Sequence, residues 1–180
     1  MLEAEDLIVA RGRRTLLEGF SVHVRPGELV HIAGPNGCGK SSLLRVLAGV
    51  VEPRRGRVER RAGCAYVPEQ PALPESLPAQ RWLRVAGAGD APLPEPLRAR
   101  AGALSRGQLQ RVVLTGALHG DRARILVIDE PWAGLDAAAR DELSGRLAEL
   151  AAHGSAVIFT DHGGAGDLTA TRNLALGPAA

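Results

Sequence analysis

The sequence predicts an α/β fold built on a mostly parallel sheet. Three short apolar runs carry that expectation: GELVHIAG (27–34), RILVIDEP (124–131) and SAVIFTDH (155–162). Each has the length of a strand and lacks polar alternation, as strands buried on both faces do. Helix-period segments lie between them, and strands alternating with helices assemble into a parallel sheet covered by helices. Ligands of such sheets collect beyond the carboxyl ends of the strands, and the least ordinary residues of this chain fall there.

Taken in order, LEAEDLIVA (2–10) and TLLEGFSVHV (15–24) alternate apolar and polar positions. That pattern suits a half-solvated antiparallel sheet, so an N-terminal antiparallel β-subdomain is expected. After the run at 27–34, SSLLRVLAGVVEP places apolar residues at 43, 44, 46, 47 and 50, one helix face, with Pro53 closing the helix. The Pro- and Ala-rich stretch from Gln70 to Leu104 is the least regular part and reads as a small helical insertion, about 71–104, carrying Trp82 and Leu83. DAAARDELSGRLAELAAHG opens on Asp136 as an N-cap and closes on Gly154. No internal repeat is visible, and 180 residues fit one domain spanning 1–180.

Composition narrows the function classes. Hydrophobic content of 45%, charge of 23% and a net charge of +2 describe an ordinary globular chain with no basic block of the kind that marks a nucleic-acid arm. Cys38 and Cys64 form no framework, the first residues show no signal-peptide pattern, and no apolar run approaches the roughly 20 residues of a membrane span. The expected home is the reducing cytoplasm. Among the 22 basic residues, 21 are Arg and one is Lys40.

That lysine sits in GPNGCGKS, which fits G-x-x-x-x-G-K-[ST] between a predicted strand and a predicted helix, the context the pattern requires. Gly34, Gly37 and Gly39 let the backbone curl its N–H groups toward phosphate oxygens at a helix N-terminus. A compact ammonium fits between β- and γ-phosphates as a point charge, where a planar guanidinium does not. ILVIDEP then supplies two acids at a strand end: Asp129 is placed to hold Mg²⁺ with Ser41 as partner ligand, and Glu130 to polarise a water for attack on the γ-phosphate. LSRGQLQR (104–111) reads as a loop feeding a helix capped by Ser105, with N–H groups around Gly107.

Together these residues resemble the ATP-binding-cassette ATPases over nearly the whole chain. GPNGCGKS looks like the Walker A loop, AYVPEQP like the Q-loop segment, LSRGQ like the signature LSGGQ with Arg106 in place of a glycine, ILVIDEP like Walker B, AGLD (133–136) like the D-loop, and TDH (160–162) like the switch-histidine segment with His162. The resemblance implies a RecA-like P-loop NTPase with a reduced helical subdomain. It makes Gly34, Pro35, Asn36, Gly37, Cys38, Gly39, Lys40, Ser41 and Ser42 the nucleotide loop, with Cys38 at a variable position whose side chain is assigned no chemistry. It makes Ser105, Gly107 and Gln108 the part that completes the site of an opposite subunit. ATP and Mg²⁺ are implied, with Lys40, Glu130 and His162 acting on the γ-phosphate.

Three departures accompany the resemblance. The family often stacks adenine on an aromatic residue; VARGRR has none, and Arg11 near that place either stacks its guanidinium on the base or is a solvated loop residue. The Q-loop residue aligns with Glu69 or Gln70. Gln70 is favoured, because a neutral amide contacts Mg²⁺ or its water without crowding anionic phosphate. The insertion ahead of the signature is short. The implied partners are a second ATPase cassette, identical or related, since the chain holds one Walker A, and a separate transmembrane permease. That reading puts the protein on the inner face of the cell membrane and expects no nucleic acid. The alternative is a soluble cassette ATPase acting on nucleic acid or ribosomes; the DNA-linked types carry a long insertion before the signature and the translation types carry two cassettes, and neither feature is present. Within the transporter class, the run TLLEGFSVHVRPGELVHIAGPNGCGKSSLLRVLAG is similar to the ATPase of the haem exporter of cytochrome c maturation.

Overall fold

A computed structural model describes residues 1–89, 91, 93–120, 124–161 and 168–177. Strands β1 (Leu2–Arg11) and β2 (Arg14–Val24) form an antiparallel pair, as their alternation predicts, and β4 (Arg55–Arg60) adds to the far edge of β1. The second sheet is parallel throughout, with β5 (Cys64–Val67), β6 (Ile125–Ile128), β7 (Ala156–Thr160), β3 (Leu29–Ala33) and β8 (Arg172–Ala175) lying side by side in that order. Strands β4, β5 and β8 carry no usable sequence signal. RGRVER and RNLA are polar, and CAYV is too short for a period to show.

The central strands explain the unbroken apolar runs. Along β6, Ile125 and Val127 face one core while Leu126 and Ile128 face another; along β7, Ala156 and Ile158 divide from Val157 and Phe159 in the same way. The first core is closed by the inner face of β1 and β2 and by α1 (Lys40–Ala48), through Leu43, Leu44, Val46 and Leu47. The second is closed by α3 (Arg106–His119) and α4 (Ala137–Ala152), through Val113, Leu114, Leu143 and Leu147. A third, smaller cluster joins α2 (Ala79–Val85) and the 3-10 turn Glu95–Arg98 to Val112 of α3, with Leu83 fully buried.

Helix α1 ends earlier than the sequence suggests. The expectation that Pro53 closes it and that Val50 belongs to its buried face is corrected: Gly49 turns left-handed at φ 79°, and Val50 is 57% exposed. The Gly49 N–H donates to Val46 O and the Val50 N–H to Arg45 O, the paired closure that a glycine just past a helix permits. The Arg60 guanidinium, reaching over from β4, donates to the carbonyls of Leu47 and Val46 at 2.7 and 2.9 Å and covers two of the carbonyls a helix end leaves open. Helix α4 behaves as predicted: Asp136 accepts from Ala139 N–H at 2.9 Å, and Gly154 follows the last turn at φ 90°. Among the described residues no helix is long and apolar enough to cross a membrane.

Candidate active site

The parallel register brings three strand ends to one level. Ile32 of β3 pairs with Thr160 of β7, and Ile128 of β6 pairs with Phe159, so Asp129 emerges beside Thr160. From the end of β3 the chain enters the loop 34–39 and then α1. A Cβ on Gly34 would lie 2.8 Å from Cys38 Sγ and 3.0 Å from Leu176 O, so only glycine allows the loop to pass there. Cys38 is 1% exposed and packs under the loop, where it joins the hydrophobic core. At Gly39, φ is 106° and a Cβ would lie 3.0 Å from Leu16 Cβ, which ties the loop's second half to β2. Gly39 caps α1 without a side-chain acceptor, leaving the first-turn N–H groups for an anion.

Lys40 is only 6% exposed. Its ammonium donates to Gly34 O at 2.7 Å and Pro35 O at 3.3 Å. An ammonium has three donors, so two hold the side chain across the loop and the third remains for a phosphate oxygen. Over the loop lies a cleft of about 380 Å³. Its walls are Arg11, Arg14, Leu16, Asn36, Gly37, Gly39, Lys40, Ser41, Ser42, Glu69 and Glu130. The structure therefore gathers the loop, Arg11 and Glu130 around one space, as the sequence suggests. Arg14 and Leu16 also belong to it; β2 begins at Arg14, the last residue of the VARGRR stretch, and nothing in the sequence marks Leu16.

Glu69 stands on the cleft wall, whereas the exposed Gln70 is not among the lining residues. Asp129, 3% exposed, is not among the lining residues, and its Oδ1 accepts from the Thr160 hydroxyl at 2.7 Å. Glu130 is 6% exposed and takes a left-handed backbone, φ 53°, one of two non-glycine residues with positive φ among the described residues. Its N–H donates to Thr160 Oγ1 at 3.1 Å and its carbonyl accepts from Gln110 Nε2 at 3.2 Å. A side chain in that backbone region is costly unless its surroundings enforce it, and such residues concentrate at functional sites. Thr160 and Gln110 lie in quoted segments but are given no role of their own there; for Thr160 the available signal is a lone polar residue closing the apolar strand AVIFT.

Ser105, Gly107 and Gln108 are not part of this cleft. They start α3, where Ser105 Oγ accepts from Gln108 N–H and Gln108 Oε1 accepts from Ser105 N–H. This reciprocal cap uses the hydroxyl as an acceptor and leaves its proton for an outside group. His162 lies outside the described residues. Burial pushes the Cys64 thiol up to about 11, so it is no nucleophile at neutral pH.

A strand–loop–helix phosphate cradle facing a strand-end glutamate defines a P-loop nucleotide hydrolase. The family model described as "ABC transporter" matches residues 17–133, well over half the chain. The chain belongs to that family, as one of its ATP-binding, ATP-hydrolysing subunits. It is 38% identical to the cytochrome c biogenesis ATP-binding export protein CcmA of Aromatoleum aromaticum, an alignment covering 90% of this chain and 88% of that protein. It is 42% identical to the zinc import ATP-binding protein ZnuC of Roseobacter denitrificans, over 76% of this chain and 58% of that protein. Among solved structures, a dimeric ATP-binding cassette in a post-hydrolysis state bound to ADP and Pi superposes with a TM-score of 0.84 at 21% identity, covering 98% of this chain and 94% of that one.

Proposed function

We propose that the chain hydrolyses ATP with Mg²⁺ and thereby energises transport through a separate membrane-embedded permease, working as a pair of cassettes. Residues 1–180 act as one ATPase domain, and the insertion at about 71–104 faces the permease. The observation that carries the reading is the shared cleft: the lysine loop and Glu130, far apart in sequence, wall one space of nucleotide-phosphate dimensions. The donor set suits a hard cation, since a serine hydroxyl and a buried carboxylate are oxygen ligands of the kind Mg²⁺ takes together with substrate phosphates. Among the described residues there is no group of three or more His, Cys, Asp or Glu that would cage a metal without phosphate.

In this mechanism Lys40 and the loop amides fix the β- and γ-phosphates, while Ser41 and Asp129 hold the metal side of the substrate. Bound Mg²⁺ supplies charge neutralisation on the phosphoryl oxygens. Glu130 accepts a proton from the attacking water as the new P–O bond forms and the bond to ADP breaks, so ADP and phosphate leave and the proton rests on the carboxylate. His162 steadies the γ-phosphate. Arg11 lies against the base. Ser105 and Gly107 close the γ-phosphate of the opposite cassette. Transport in cytochrome c biogenesis is the assignment best supported by coverage, because several relatives with that name span 88–89% of their own length in the match, against 58–61% for the first zinc import proteins.

Two measurements test these assignments. Purification from membranes is expected to recover the chain with an integral membrane partner on the cytoplasmic face; recovery with ribosomes or DNA instead would overturn the transporter reading. For the Q-loop, chemistry favours the Gln70 amide while placement favours Glu69, which stands on the cleft wall. We assign the contact to Glu69, as an oxygen ligand on the metal side. Steady-state hydrolysis is expected to fall further in Glu69→Ala than in Gln70→Ala, and the opposite ranking returns the role to Gln70.

A further inference from the structure

We propose that Thr160 is the positioning residue of the catalytic acids, one hydroxyl that fixes both the Asp129 carboxylate and the Glu130 peptide. This rests on the reading of Glu130 as the base. Thr160 closes β7 after four apolar residues and is fully buried. Valine would fill the same volume, so packing alone does not call for the hydroxyl. Its proton goes to Asp129 Oδ1 at 2.7 Å, and its oxygen accepts the Glu130 N–H at 3.1 Å.

The strand register makes this double contact possible. Ile128 pairs with Phe159, so the residue after each strand position, Asp129 on one side and Thr160 on the other, meets across the ladder just where β6 stops being a strand. At that point the chain turns into the left-handed conformation of Glu130, whose N–H donates to the Thr160 hydroxyl across the ladder. Gln110 Nε2 donates to the carbonyl of the same residue at 3.2 Å, so the backbone on either side of the Glu130 Cα is held, from β7 and from α3. Without the hydroxyl, a buried carboxylate loses a donor and a buried N–H loses its acceptor, and both acids are released from a fixed direction. A displacement of about 1 Å in a reacting group costs about 100-fold in rate.

The test compares Thr160→Val with Thr160→Ser. The valine variant keeps shape and removes the hydrogen bonds; at saturating Mg²⁺ it is expected to keep its KM for ATP and lose about 100-fold in kcat. The serine variant keeps the hydroxyl and is expected to return kcat to within a few-fold of wild type. Calorimetric titration of ADP at stepped Mg²⁺ concentrations should show the valine variant needing more Mg²⁺ for half-maximal binding, since Asp129 has lost its orientation. If valine prevents folding, Thr160→Ala, which adds no bulk, carries the same comparison. Wild-type kcat in the valine or alanine variant overturns the proposal. So does a serine variant as slow as the valine one, which would make the methyl group the active part. A wild-type protein that binds ADP but hydrolyses no ATP would overturn the role of Glu130, and the Mg²⁺ titration would still decide whether Thr160 orients Asp129.

Discussion

Glu130→Gln protein is expected to bind ATP as wild type does and to hydrolyse it about 100- to 10,000-fold more slowly, the usual contribution of a general base. The substitution changes one oxygen to an amide nitrogen and preserves size, so the left-handed turn at φ 53° and its bonds to Thr160 and Gln110 survive. What disappears is the capacity to accept a proton from water. Glu130 is 6% exposed and lines the cleft together with Lys40 and Ser41, so bulk solvent is a poor substitute. Phosphate release at saturating ATP, measured beside equilibrium binding of a fluorescent ATP analogue, separates the two effects. Near-normal turnover with intact binding would remove Glu130 from the chemistry.

Lys40→Arg is the second large effect, although it conserves charge. The ammonium is 6% exposed and spans the loop to Gly34 O at 2.7 Å and Pro35 O at 3.3 Å. A guanidinium is planar and broad, with five donors in a fixed fork. It cannot keep both carbonyls and also present one donor to a phosphate within that space. Hydrolysis is expected to fall about 100- to 1,000-fold, as when one preorganised donor to a transition-state oxygen is removed. ATP affinity is expected to drop as well, because a Lys40 that binds the phosphates would hold them in the ground state too. Wild-type turnover in this variant would mean that the loop does not cradle phosphate. The use of one lysine among 22 basic residues fits this steric demand.

Much of this site is legible in the sequence because its parts are local. Walker A is a contiguous strand, turn and helix start, and glycine spacing there follows from the backbone's own needs, as the close approach at Gly34 shows. Asp129 and Glu130 stand out as two acids ending a solid apolar run. The central strands were readable for the same reason, since burial on both faces removes polar alternation. What stayed hidden depends on relations between distant segments. Thr160 matters through strand register, which places it beside Asp129. Gln110 matters through packing of α3 under the end of β6, and its place in a helix reveals nothing of that. Glu69 and Gln70 are neighbours, and which of the two side chains meets the cleft wall is a direction that residue type alone does not give. Strands β4 and β8 form because a neighbour offers them a ladder, so their own polar residues give no warning.

We propose that this chain supplies two halves of different sites, Lys40 with Glu130 in one and Ser105 with Gly107 in another. Ser105 opens α3 away from the cleft, with its hydroxyl proton available to an outside acceptor. Glu130→Gln arrests hydrolysis without emptying the site, so the γ-phosphate can bridge two chains long enough to be seen. The decisive measurement is sedimentation velocity of Glu130→Gln protein, together with its membrane partner where the isolated chain stays monomeric. With ATP and Mg²⁺ it is expected to sediment as a cassette dimer, with ADP as a monomer, and with Ser105→Arg added as a monomer in either nucleotide. Saturated ATP binding with no cassette pairing in any of these conditions would contradict the shared-site account.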